Sequence, residues 1–139
     1  ALDAAAKGTA LPFATVLASE HRVIGSTRFA NYDPSNRRVE IGWTWIAPPW
    51  QRSGANVEAK LLMMTYAFEV LECHRVEFKT DVLNDKSRNA LLGIGAQQEG
   101  VLRAHTLLWT GRWRDTIYFS VLAREWPNVK ARLIDRLKR

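Results

Sequence analysis

RVEIGWTWIAPPWQRSGANVEAKLLMMTYAFEVLE, residues 38–72, changes its hydrophobic period halfway along, and that change decides the fold class. From Arg38 to Ile46 the pattern alternates: Val39, Ile41, Trp43 and Trp45 share one parity, and Glu40, Gly42 and Thr44 the other. A regular strand sends these two sets to opposite faces. Pro48 and Pro49 then stop the sheet, because neither can donate a ladder hydrogen bond. Beyond them Val57, Leu61, Met64, Phe68 and Leu71 recur at helical spacing, with Glu58, Lys60, Glu69 and Glu72 mostly off that stripe. The spacing predicts a helix from about Gly54 to Glu72 with one apolar face against a sheet. His74 to Thr80, built on Val76 and Phe78, returns to strand character. Strand, long helix and strand in that order imply a crossover with parallel strands, and so an α/β fold.

Working outward, Leu11 to Ala18 and Arg22 to Ala30 read as a hairpin turning near Glu20-His21, followed by a loop at Asn31 to Asn36. On the other side, Asn84 and Asp85 can cap a short helix through Lys86 to Gly93. Gln98 to Trp109 and Arg112 to Leu122 predict a second hairpin across Thr110-Gly111. Trp126-Pro127 opens a terminal helix, where proline is tolerated in the first turn. No repeat or low-complexity tract intervenes, so residues 1–139 are expected to form one domain.

Cys73 is the single cysteine, which rules out an intrachain disulfide, and no apolar run approaches the roughly 20 residues that cross a bilayer. A reducing cytoplasm and no membrane partner are the corresponding expectations. The chain begins at Ala1, and Leu2 to Lys7 read like the tail of a helix ended by Gly8, as in a processed or truncated product. A net charge of +6 and a pI near 9.9 favour an anionic partner. Lys130, Arg132, Arg136, Lys138 and Arg139 form either a solvated helix surface or an anion site. A basic nucleic-acid-binding module is the weaker alternative, as no finger or aromatic-basic RNA motif is present. His21, His74 and His105 are widely separated and show no metal-ligand spacing. Cys73 reads as a small packing residue.

Gln51-Arg52-Ser53-Gly54-Ala55-Asn56 sits between the strand and the long helix. Consecutive backbone N–H groups at such a junction can point at phosphate oxygens, the helix dipole adds favourable potential, and Gly54 permits close approach. The same residues also suit an ordinary loop and helix start. They match neither the Gly-Lys-Ser/Thr phosphate loop nor the three-glycine dinucleotide fingerprint. A second segment, Asn84-Asp85-Lys86-Ser87-Arg88-Asn89, precedes Leu91, Leu92, Gly95-Ala96 and Glu99-Gly100.

On these two segments the chain resembles the GCN5-related N-acetyltransferase (GNAT) superfamily, and within it the RimJ/RimL-like branch of ribosomal-protein N-terminal acetyltransferases. Gln51, Arg52 and Gly54 match the family signature Gln/Arg-x-x-Gly-x-Gly/Ala, while Asn56 replaces its last small residue. The resemblance runs from about Phe13 to the terminal helix and implies a mixed, centrally splayed sheet flanked by helices. It also implies that the family's first strand and most of its first two helices are missing. The implied activity is transfer of an acetyl group from acetyl-coenzyme A to a primary amine, either on a small molecule or at a protein N-terminus, with no catalytic metal. The implied cosubstrate contacts are Trp45, Ile46, Gln51, Arg52, Ser53, Gly54, Ala55, Asn56, Asn84, Ser87 and Arg88. A homodimer is a further implied assembly.

Three catalytic roles follow from the resemblance, each beside an ordinary one. Glu40 is the candidate base for the amine, or a solvent-facing glutamate on an alternating strand. Ser87 is placed to position the departing thiolate or a water, or it serves the helix start. Tyr118 can protonate the thiolate, or it packs within its strand. Trp43, Trp45 and Trp50 can line an acceptor cleft or pack in the core. An acyl-coenzyme A-binding or regulatory module without catalysis is the competing function.

Overall fold

The computed structural model describes Gly8 and residues 10–138. The expected helix tail at Leu2 to Lys7 lies outside the described residues. Six strands form one mixed sheet in the order β1-β2-β3-β4-β6-β5. The strands are β1 (Ala10–Leu17), β2 (Arg22–Asp33), β3 (Arg38–Ile46), β4 (Arg75–Asp81), β5 (Gln97–Leu107) and β6 (Trp113–Leu122). β3 and β4 are parallel, as the crossover required, and every other neighbouring pair is antiparallel. Helix α1 (Ala55–Thr65) makes the crossover, α2 (Asp85–Gly93) follows β4, and α3 (Trp126–Leu137) closes the chain. Among the described residues no helix is long and apolar enough to cross a membrane.

One core explains the arrangement. Val39 and Ile41 of β3, Val76 and Phe78 of β4, and Ile117, Phe119 and Val121 of β6 are buried against Met63 and Met64 of α1, Leu91 of α2, and Val129 and Leu133 of α3. Alternation sends the intervening residues to the opposite, polar face. There Arg75 of β4 reaches Glu99 of β5 with two hydrogen bonds of 2.5 Å, and Ser120 of β6 donates to the same carboxylate at 2.7 Å. Glu99 thereby ties the last hairpin to the sheet. Cys73 is buried, and burial pushes its thiol up, in keeping with a packing role.

The long helix departs from its expected form at its end. α1 gives way to a π-helical turn, Tyr66–Val70, with the Leu71 N–H donating to the Tyr66 carbonyl at 2.9 Å. The widened turn is capped at Leu71, and Glu72 after it takes φ 56°. A second departure concerns Lys60, expected off the apolar stripe but only 6% exposed beside Met63 and Met64. Two of the terminal basic residues are engaged: Lys130 pairs with Glu69 at 2.7 Å, and Arg136 donates to the Gly93 carbonyl at 3.1 Å.

Candidate active site

Three features converge where β3 leaves β4. The two strands pair only at Arg38–Arg75, Val39–Val76 and Glu40–Glu77. Beyond that point β4 continues to Asp81 against β6, and β3 continues to Ile46 against β2. The edges of β3 and β4 that faced each other therefore part, leaving main-chain groups of β3 after Glu40 without a ladder partner on that side.

The second feature is a bulge in β3. Arg28 of β2 stands opposite Gly42 and Ser26 opposite Trp45, so β3 carries one extra residue there. Trp43 absorbs it with φ 50°. This overturns the expected parity of β3. Thr44 accepts from Lys60 on α1, and Ile46 is buried, so Val39, Ile41, Thr44 and Ile46 face the helices. Trp43 instead joins Glu40 on the polar face, with the Arg28 guanidinium 4.5 Å and the Lys79 ammonium 5.2 Å from its ring. Trp43 and Trp45 are about half exposed, so neither packs in the core.

Glu40 stands at the parting point and is 2% exposed, not solvent-facing. Its Oε1 accepts from Asn31 at 2.9 Å and lies 3.5 Å from the Lys79 ammonium. Its Oε2 is buried with no hydrogen-bond partner among the described residues. A buried acceptor-only carboxylate oxygen without a protein partner is costly.

The third feature is the Gln51–Asn56 loop. Arg52 and Gly54 both take left-handed conformations, with φ 62° and 90°. Gln51 and Ser53 N–H groups close turns on Pro48 and Trp50, and the Ser53 hydroxyl also donates to the Trp50 carbonyl. The Arg52 and Gly54 amides donate to no protein acceptor among the described residues. The first-turn amides of α1 follow them; such amides have no intrahelical acceptor, and that of Ala55 donates to the Ser53 Oγ at 3.4 Å. Free donors thus alternate with turn-bound ones, where the sequence suggested a consecutive run.

Gln51 fixes this loop to its surroundings. Its Nε2 donates to the Ile46 carbonyl at 2.9 Å, and its Oε1 accepts from Lys86 at 3.2 Å. The two segments matched in the sequence are therefore in contact through Lys86, which the sequence reading had passed over. Asn84 caps α2 by accepting the Ser87 N–H at 3.1 Å. Arg88 donates to the Val82 carbonyl at 3.0 Å and lies 3.5 Å from Asp85.

Tyr118 is not brought to Ser87. It lies on the polar face, across the ladder from Lys79 and edge-on to the His105 ring at 6.2 Å, whereas α2 packs on the other face through Leu91. His105 bonds to Thr116 and His74 to Arg37, and no metal-binding group of three or more His, Cys, Asp or Glu occurs among the described residues.

Comparison with known proteins agrees with this architecture. Residues 1–97 match the family described as Acetyltransferase (GNAT) domain. YdaF of Bacillus subtilis (strain 168), a proposed ribosomal N-acetyltransferase, is 40% identical over 106 residues, covering 76% of this chain and 57% of YdaF. A GCN5-related N-acetyltransferase from Brucella melitensis superposes with a TM-score of 0.87 at 38% identity, over 94% of this chain and 59% of that one. Mycobacterium smegmatis RimJ, in complex with CoA-disulfide, gives a TM-score of 0.83 at 26% identity, over 97% and 64% of the two chains. The chain thus spans somewhat over half the length of YdaF and the Brucella protein. With residues 1–97 matching that family and the fold superposing closely on the Brucella structure, the chain belongs to the GNAT acetyltransferase family.

Proposed function

We propose that this chain transfers the acetyl group of acetyl-coenzyme A to a primary amine, with a protein N-terminus as the favoured acceptor. The observation that carries the reading is the parting of β3 from β4 directly before a loop whose Arg52 and Gly54 amides are unpaired. When bound, the acyl donor supplies an activated thioester carbonyl and a thiol leaving group. The free amides of Arg52 and Gly54 and the first turn at Ala55 and Asn56 receive its pyrophosphate, with Gln51 and Ser53 holding the loop in shape. The Trp45–Ile46 end of β3 borders the gap and orients the pantetheine arm, with the Trp45 carbonyl facing Gly25 of β2 and the Ile46 carbonyl held by Gln51. Asn84 and Ser87 border the same gap from the start of α2. Arg88 braces that helix start from behind.

On the polar face, Glu40 takes a proton from the incoming amine, directly or through a water. Asn31 and Lys79 hold the other oxygen in place. Unpaired N–H groups on the free edge of β3 stabilise negative charge on the carbonyl oxygen, and Ser87 manages the proton at the departing sulfur. Tyr118 receives a packing role against His105. The ribosomal acceptor in the description of YdaF favours a protein N-terminus. A buried single cysteine suits a cytoplasmic setting.

The test is incubation with acetyl-coenzyme A and a panel of amines, including ribosomal-protein N-terminal peptides, lysine peptides and polyamines, read by mass spectrometry. Acetylated N-terminal peptides are expected. Binding of acetyl-coenzyme A with no product from any amine would leave a binding module instead.

A further inference from the structure

Lys60 is a buried charged group that the mechanism above does not use. Its side chain is sequestered between α1 and β3, and no carboxylate of a described residue lies within 4 Å of its ammonium. The ammonium donates to Thr44 Oγ1 at 2.8 Å and Asn56 Oδ1 at 3.4 Å. Thr27 Oγ1 contacts Thr44 Oγ1 at 3.0 Å and reaches the Gly42 carbonyl at 3.5 Å. Either hydroxyl can donate across the Thr27–Thr44 contact, and the chain runs from Lys60 through both hydroxyls to the carbonyl before the bulge.

Placing an ammonium here is expensive, and a methionine or leucine would pack the same space at lower cost. Burial pulls the Lys60 pKa down to about 8, which still leaves it mostly protonated and donating at neutral pH. Asn56 is the residue that replaces the usual small side chain of the family signature, and it stands one helical turn before Lys60 on the same face. The departure in the motif and the buried lysine are thus one unit, joining the start of α1 to the bulge.

We propose that Lys60 is a positioning residue for the acyl donor: it holds the Trp43–Thr44 bulge in the form that keeps the free edge of β3 open to the thioester arm. The inference rests on the acyl-donor reading of the preceding subsection. With Thr44 held toward the helices, Trp43 stays beside Glu40, and the β3 main chain keeps its course away from β4. Without the tie, β3 can regain regular alternation and turn its edge groups.

The experiment compares the wild type, Lys60→Met and Thr44→Val by calorimetric titration with acetyl-coenzyme A and with adenosine 3′,5′-bisphosphate, alongside thermal unfolding. Lys60→Met is expected to weaken acetyl-coenzyme A by about tenfold, to leave bisphosphate affinity within about twofold, and to melt no lower than the wild type. Thr44→Val should shift acetyl-coenzyme A affinity in the same direction, and it decides the matter if Lys60→Met does not fold. Folded variants that bind acetyl-coenzyme A as the wild type does would overturn the proposal, as would an equal loss for both ligands. A wild type that binds neither ligand would instead overturn the acyl-donor reading, and this inference with it.

Discussion

Glu40 and two glycines show how narrowly the site is built at the scale of single residues. A Cβ on Gly42 would stand 3.2 Å from Glu40 Oε2, so any side chain there presses on the buried carboxylate. Glu40→Gln keeps that shape and removes the proposed base. It is expected to lower the transfer rate by about a hundredfold while moving the unfolding midpoint little, and steady-state assays with urea unfolding check both. An unchanged rate across pH would remove the assignment. Gly25 is tighter still: a Cβ there would meet the Trp45 carbonyl oxygen at 2.0 Å, so β2 and β3 approach as closely as they do only because this residue lacks one. Gly25→Ala should cost at least about 2 kcal/mol in urea unfolding; a loss of a few tenths would show that the strands shift freely.

Lys60 gives the residue scale a pH signature. Its folded pKa, about 8, lies below the ordinary 10.5, so the charged form is the one that burial penalises. Between those values the unfolded chain keeps a proton that the folded chain has released. Wild-type stability should therefore rise with pH through that window relative to Lys60→Met, and show no such slope below it. Urea unfolding of both proteins across the window measures the difference; parallel curves would mean that the ammonium is not buried.

At the scale of elements, the strands and helices were legible because the hydrophobic period changes cleanly at Pro48-Pro49 and again at His74. β3 was expected at Arg38 to Ile46 and spans those residues. Its bulge was not legible, since an extra residue leaves no mark in a pattern of alternating Trp, Thr and Trp, and only the pairing with β2 reveals it. Lys60 could have been found: it lies three, four and seven residues before the buried Met63, Met64 and Ala67, which is the spacing of one helical face. Its charge outweighed its position. The π turn at Tyr66–Val70 has no comparable signal.

Glu99-Gly100 shows an element held by one side chain. The Arg75 guanidinium holds the Glu99 carboxyl down to about 2, a carboxylate shift whose stabilisation is complete above the ordinary 4.5 and is lost as pH falls toward the lower value. The side chain is 40% exposed, so solvent screening should keep the contribution below about 1 kcal/mol. Glu99→Gln is expected to flatten the acid limb of the stability curve by that amount, as acid titration of the folded state would show.

Across the whole molecule, function follows from a sheet that is continuous at one end and divided at the other. The core under β3, β4 and β6 holds the strands together up to Glu40 and Glu77, and the loop before α1 fills the end of the opening with unpaired donors. The family resemblance anticipated this division, whereas hydrophobic periodicity alone predicted only a parallel crossover. A crystal structure grown with coenzyme A is the most direct test of that account. It should place the pyrophosphate on the Arg52 and Gly54 amides and the pantetheine arm between β3 and β4. Coenzyme A bound elsewhere, with those amides unoccupied and the strands closed over the gap, would contradict it.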